Sequence, residues 1–414
     1  MKYDTIIIGG GLSGLVTGIK LAQRQKKVAI ISTGQSALHF ASGSFGLLGR
    51  TADEQTIERP ADSMDTLPEN HPYRRIGLER VIELADTVPS LFADADITLK
   101  GSSQANHYRL TPFGMCRPCW LTLSDFFTCN DKENHDIRTC LIVNFKGFLD
   151  FYPGYLTDGL AKAGVDSRTC TIEIEQLERL RHSASEMRAA SIARQLTGDV
   201  LKKFADEINR HASGVDAVLI PAVIGIDNEE PLKQLRAMVN RPLYCIPTTP
   251  MSVCGLRVQK MLRRRFERLG GTYFLGDNVV AAHIGAGNRL ESVETAALGS
   301  DLLESDNFVL ATGGIFSRGI VAEPHRIYEP LLNVDVDAPA DRDKWFDSNF
   351  FAKQPYMSYG VVTDKSFHPV YQGNVVENLY AVGAILGGHD ALHEGSGAGV
   401  AILSALHVAD LILK

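Results

Sequence analysis

Apolar positions along this chain gather in short unbroken runs, and most of the runs end on glycine. Tyr3 to Ile8 is an apolar, β-branched run of the kind a strand buried on both faces requires. It leads into Gly9-Gly10-Gly11-Leu12-Ser13-Gly14, after which Leu15, Ile19 and Leu21 continue at helical spacing. Lys27 to Ile31 is a second strand, so strand, turn, helix and strand fit within a unit of roughly thirty residues. Helical spacing returns over Ile76 to Leu91. It recurs over Met251 to Leu269, where Leu256, Met261, Leu262, Phe266 and Leu269 share a side and Gly270-Gly271 ends the element. Two candidate strands flank a turn at 285–288. Another, Asn307 to Leu310, closes onto Ala311-Thr312-Gly313-Gly314, and Asn378 to Val382 reaches Gly383. Gly387-Gly388 and Gly395-Ser396-Gly397-Ala398-Gly399 follow, then an apolar helix from Val400 to Leu413. Residues 96–249 lack glycine fingerprints and mix helices with short strands such as Ala217 to Ile226. The pattern predicts an α/β chain: a Rossmann-like domain split into 1–95 and 250–414, around an inserted α+β cap or substrate domain over 96–249.

Each residue of the first turn has a separate physical task. Gly9 permits the turn, Gly11 lets a phosphate approach the backbone, and Gly14 lets the helix pack on the strand. The amides of Leu12 and Ser13 open a helix whose dipole faces that phosphate. One part of the dinucleotide fingerprint is missing. Where an Asp or Glu would accept bonds from an adenosine ribose, the chain has Ser32 and Thr33, which lack a carboxylate's charge and bidentate geometry. Either other groups hold the adenosine or there is none, as in a mononucleotide.

Length and charge narrow the classes. A chain of 414 residues exceeds one ordinary core, so two globular units are expected. A net charge of −7 argues against general nucleic-acid binding, and an anionic substrate would need local arginines. No apolar run approaches the roughly twenty residues of a membrane span, and Asp4 with the glycine turn rules out reading the first residues as a secretory signal. Seven cysteines, an odd number spread along the chain, suit reduced thiols in the cytoplasm. Contact with a membrane is therefore expected through a partner.

The strings TIIIGGGLSGL, FVLATGGIFSRG and NLYAVGAILGGHDALHEGSGAGVAILSALHVA resemble the two-domain flavoproteins of the fumarate reductase and glycerol-3-phosphate dehydrogenase type. More narrowly, GQSALHFASGS, IPTTPMSVCGLRVQ and QPYMSYGVVTD resemble the B-subunit family of anaerobic glycerol-3-phosphate dehydrogenases. That resemblance implies a quinone-linked complex oxidising glycerol 3-phosphate to dihydroxyacetone phosphate. It implies a second flavoprotein subunit sharing the catalytic dimer, and a membrane-associated iron–sulfur subunit that holds the complex at the cytoplasmic face of the inner membrane. It also implies FMN, with FAD as the alternative. The flavin would touch Gly9, Gly11, Leu12, Ser13, Gly14, Ser32, Thr33, Ser42, Gly43, Ser44, Ala311, Thr312, Gly313, Gly314, Gly383, Gly387, Gly388, Gly395, Ser396, Gly397 and Gly399. In the broader group a Gly-Asp pair on the last strand contacts the ribityl chain, whereas here Gly383 is followed by Ala384.

Oxidising a secondary alcohol at a flavin calls for a base and for charge complementary to the substrate. His39, in the long small-residue loop Thr33 to Gly49, is the preferred base, with His389 and His393 in segments also expected near the ring. Arg109 and Arg117, flanking Thr111 to Gly114, and Arg257, early in its helix, are the phosphate candidates; solvated surface arginines are the alternative for each. Arg263 to Arg265 occupy successive helical positions that cannot share one face. Cys116-Arg117-Pro118-Cys119 is a CxxC pair, but Cys129 and Cys140 do not supply a second close pair, so reduced cysteines and no metal are expected. Two other readings remain open on the sequence alone: a flavin-binding electron-transfer or structural subunit, and a stand-alone hydroxy acid or fumarate-type oxidoreductase.

Overall fold

The structure, a computed structural model, describes residues 1–131, 135–183, 186–285 and 287–414; Ala286 of the expected 285–288 turn lies outside the described residues. In chain order, the elements used below begin with β1 (Lys2–Ile8), α1 (Leu12–Ala22), β2 (Val28–Ser32) and α2 (Pro72–Ile76). There follow β3 (His107–Leu110), β4 (Cys116–Cys119), β5 (Thr128–Cys129), β6 (Thr139–Phe145), β7 (Asp166–Ile172), β8 (Ala217–Pro221) and β9 (Leu243–Ile246). Then come α3 (Val253–Arg268), β10 (Thr272–Leu275), β11 (Val279–Gly285), β12 (Arg289–Thr295), β13 (Leu303–Leu310), β14 (Leu379–Ala381) and α4 (Gly397–Ile412).

The chain divides into two compact units. The first comprises Met1–Ala37, Gly46–Leu91 and Leu262–Lys414, the second Leu38–Phe45 and Phe92–Met261. In the first, β1 lies between β2 and β13, parallel to both, with β10 beyond β2 and β14 parallel to the end of β13. Being paired on both edges and covered on both faces explains why β1 reads as a continuous apolar run instead of an alternating one. The antiparallel pair β11–β12 joins at the other end of β13. α4 is apolar nearly all round because it is buried, and it packs on α1.

The second unit combines a parallel layer, ordered β7-β6-β8-β9, with small antiparallel sheets, one of them β4-β3-β5. The observed boundaries fall at Leu91/Phe92 and Met261/Leu262, where the sequence placed them after 95 and before 250, and Leu38–Phe45 joins the second unit. Packing explains the transfer of that short segment. The strand Ser44–Phe45 pairs with Leu121–Leu123, and a Cβ on Gly255, in the first turn of α3, would meet the Leu38 carbonyl at 1.7 Å. The helical stretch expected over Ile76 to Leu91 is interrupted at Gly77, whose φ of +93° separates α2 from a helix over Leu78–Ala93.

Candidate functional site

The β1–α1 turn is built by two close approaches and one open position. Gly9 has φ +120°, and a Cβ there would lie 2.2 Å from the Ala311 carbonyl; a Cβ on Gly14 would lie 1.9 Å from the Gly9 carbonyl. These two glycines lock β1, the end of β13 and α1 together. Gly11 differs, since its nearest neighbour would be the Ser36 Cβ at 3.8 Å. The amides of Gly11, Leu12 and Ser13 donate to no partner among the described residues. A concave row of unpaired amides beside open space at a helix N-terminus fits a phosphate. The Ser13 side chain points elsewhere, packing where a Cβ on Gly383 would come within 2.6 Å of its Oγ.

At the end of β2 the ribose-contact position looks different. Ser32 is buried, and its Oγ accepts a bond from the Gly34 amide at 3.2 Å. Tyr273 on β10 reaches the same place: its hydroxyl donates to the Gly10 carbonyl at 3.3 Å, and a Cβ on Gly10 would lie 2.0 Å from that hydroxyl. The Arg263 guanidinium covers the Tyr273 ring at 4.8 Å. Thr33 is exposed and carries no carboxylate-like role.

A buried polar network surrounds the N-terminus of α4. His71 caps α2, accepting the Tyr73 amide at Nδ1 over 3.0 Å, so its proton sits on Nε2 and is donated to Glu394 at 3.2 Å. The Ser396 hydroxyl donates to Glu394 at 2.7 Å and the Asp390 amide at 3.0 Å. Burial opposes the Glu394 charge, but these bonds, led by His71, hold its carboxyl below the ordinary range. The Gly399 amide donates to the Gly46 carbonyl at 2.8 Å, and Tyr73 donates to Leu47 at 2.8 Å, which fixes the Gly46–Arg50 segment against the turn. The amides of Gly397 and Ala398 are left without a partner among the described residues.

His389 is the unfinished member of this network. It is 3% exposed, and neither ring nitrogen has a hydrogen-bond partner among the described residues. The Leu386 backbone favours the protonated ring weakly but lies outside bonding geometry. Burial first, and then His71, whose ring centroid is 6.1 Å away, push its pKa down to about 4. At neutral pH it is therefore an uncharged ring with one donor and one acceptor to spare, a costly state that a bound group would relieve. The Thr312 hydroxyl, after β13, is likewise buried without a partner. Together with the open Gly11 turn, these orphaned groups fit a flavin. His393 is engaged differently, its Nδ1 on Asp390 at 2.9 Å.

The lowered His389 pKa carries a prediction. The unfolded ring takes up its proton near 6.5 and the folded ring only near 4, so the unfolded chain binds more protons between those values and stability falls as pH falls through that interval. The shift corresponds to a loss on the order of 3 kcal/mol. Urea unfolding measured across the interval should show a shallower pH slope for His389→Gln than for the parent chain.

The remaining expected site residues divide clearly. Gly313, Gly314, Gly387 and Gly388 are explained by close packing on Ser317, Ala384, Gly360 and Asn70, respectively, and Gly43 by the Phe126 ring. In the second unit His39 is half-buried; burial lowers its pKa, opposed by a bond to Gln259, leaving a neutral ring able to accept a proton. Arg109 is 5% exposed with no carboxylate at ion-pair distance among the described residues. Its Nε donates to Ser44 Oγ at 2.9 Å, and Ser42 Oγ lies 3.1 Å from Ser44 Oγ. Arg117, exposed, sits directly across the strand pair from Arg109. A buried guanidinium without a carboxylate, beside a second arginine and two hydroxyls, suits an anion.

Arg257 corrects the sequence reading. It is 1% exposed; its Nη2 donates to Asp125 at 2.6 Å and its Nη1 to the Ile224 carbonyl at 3.2 Å, so both terminal nitrogens are engaged inside the second unit and the side chain is not open to a substrate phosphate. His71, Tyr73 and Glu394 were missed. The only available signal was His71-Pro72, a cap followed by proline at the first helical position.

The chain matches the FAD binding domain family over residues 4–400. It is 41% identical over 419 residues to the B subunit of the anaerobic glycerol-3-phosphate dehydrogenase of Yersinia pestis, covering 100% of this chain and 99% of that one. It is 40% identical over 422 residues to the protein of the same name from Pectobacterium atrosepticum, with the same coverage. Among solved structures it is similar to FrdA of E. coli quinol fumarate reductase, with a TM-score of 0.43 and 10% identity over 100% of this chain and 70% of that one.

Proposed function

The chain belongs to the FAD binding domain family, and within it to the B-subunit family of anaerobic glycerol-3-phosphate dehydrogenases, and from that premise we propose that this flavin-dependent oxidoreductase subunit oxidises sn-glycerol 3-phosphate to dihydroxyacetone phosphate and passes the electrons to a quinone. The observation that carries the substrate side is Arg109, buried without a carboxylate and oriented by Ser44. A bound flavin supplies the acceptor for the two electrons released from the alcohol carbon. The chain's own residues bind and move protons. Arg109, with Arg117, binds the phosphate dianion, and His39, neutral at working pH, takes the hydroxyl proton. In the first unit the amides of Gly11, Leu12 and Ser13 would hold the flavin phosphate, and the unpaired amides of Gly397 and Ala398 would offer hydrogen-bond donors to its ring.

We assign FMN as the flavin, with FAD as the alternative. Support comes from Ser32, whose hydroxyl is already bonded, from Tyr273 standing at Gly10, and from Ala384 in place of a carboxylate. The partners assigned are a second flavoprotein subunit and a membrane-associated iron–sulfur subunit at the cytoplasmic face of the inner membrane. Among the described residues no helix is long and apolar enough to cross a membrane.

Flavin released from the purified chain should have the mass of FMN, and sn-glycerol 3-phosphate should bleach it without oxygen. Bleaching only after the second flavoprotein is added would instead make this chain an electron-transfer subunit. Arg109→Lys keeps the charge but loses the fork. It should raise KM by roughly 10- to 100-fold, the equivalent of the about 1.5–3 kcal/mol expected of a charged hydrogen bond, with a smaller change in kcat. An unchanged KM would remove Arg109 from the substrate.

A further inference from the structure

The antiparallel sheet β4-β3-β5 of the second unit carries a cluster that the reaction above does not use. Cys116 on β4 and Cys129 on β5 stand on either side of β3, opposite Leu110 and Tyr108, and their Sγ atoms lie 3.9 Å apart. His135 is 7% exposed, its ring against Phe127 at 5.6 Å, and its Nδ1 is buried with no hydrogen-bond partner among the described residues. One ligand atom from each of the three lies within 4.8 Å of the others. We propose that Cys116, Cys129 and His135 form a binding site for a soft divalent cation of the zinc class, with the fourth position open to water.

Geometry separates this from the competing chemistry. Zinc–sulfur bonds of about 2.3 Å at the tetrahedral angle set two sulfurs about 3.8 Å apart, close to what Cys116 and Cys129 show. A disulfide needs about 2.05 Å, and these cysteines stand on strands separated by a third. The site also has suitable charge, since Asp131 and Asp136 add negative potential at Cys129.

The other half of the CxxC motif is not involved. Cys119 turns its Sγ to the Arg117 carbonyl at 3.5 Å, and Cys140 on β6 is wholly buried, its thiol pushed up to about 12 by that burial. The ligands therefore come from positions thirteen and six residues apart, a spacing outside the paired-cysteine patterns that sequence reading recognises.

The test uses the full-length chain, reduced and stripped with a chelator, then titrated with Co2+ alone. One equivalent should bind with thiolate-to-cobalt charge-transfer absorption. Cys129→Ser should abolish that absorption, whereas Cys119→Ser and Cys140→Ser should retain it. Should Cys129→Ser fail to fold, the parent chain still decides: Zn2+ should protect Cys116 from alkylation by iodoacetamide, read by mass spectrometry. Absence of the charge-transfer band overturns the proposal, as does alkylation of Cys116 equally with and without Zn2+. Retention of the band in a folded Cys129→Ser chain overturns it too.

Discussion

Arg257→Leu is expected to lower stability by about 3–5 kcal/mol, enough to unfold a large share of chains at physiological temperature. The cost comes from Asp125, which is 3% exposed and would be left charged with its ion-pair partner among the described residues removed. Its other carboxylate oxygen is without a hydrogen bond among the described residues, and Lys100 acts on it only through space, so the loss is little compensated. A double change to Arg257→Leu and Asp125→Leu removes both charges and should recover much of the deficit, since a buried pair is often worth little against apolar replacement. Urea denaturation of the two variants checks this directly. If Arg257 served the substrate instead, the single variant would keep its stability and show its defect in KM alone.

Gly11→Ala should yield a folded chain without flavin. Its Cβ meets nothing closer than 3.8 Å in the protein, so the melting temperature of the flavin-free chain should stay within a few degrees of the parent, as for an unstrained surface change. The methyl group would nevertheless stand where the phosphate approaches the backbone, and bound flavin per chain should fall to near none. Gly9→Ala should behave differently. It combines a φ of +120° with a carbonyl 2.2 Å from the new atom, and so should lose flavin and fold together. Flavin absorbance per chain beside thermal unfolding separates the cases; a Gly11→Ala chain with full flavin would remove the turn from the cofactor site.

The N-terminal turn was legible in the sequence because its glycines stand at a fixed spacing between a strand and a helix, which supplied the context. Strands β1 and β2 were legible for another reason: strands buried on both faces are apolar nearly throughout. What escaped was set by contacts between distant positions. His71 and Glu394 are bonded across 323 residues, and no spacing rule joins them. Arg257 reads as an ordinary helical arginine until Asp125, 132 residues earlier, is seen beside it. The segment Leu38–Phe45 follows a Rossmann strand in sequence, yet its pairing with Leu121–Leu123 assigns it to the other unit. Cys116 and Cys119 look like partners by spacing, whereas alternation along β4 and the placement of β5 bring Cys116 to Cys129.

The pairing of β1 also has a consequence for the order in which the chain is made. β2 is available to β1 almost at once, but the other edge of β1 pairs with β13, where Lys2 lies opposite Glu304. At about 5–20 residues per second, a ribosome needs roughly 15–60 s to deliver that partner. During this interval residues 92–261 have already emerged, while an apolar strand edge stays unpaired and able to associate with other chains. Nascent chains that stall before residue 303 thus present an open edge at their oldest end, the state most dependent on chaperones.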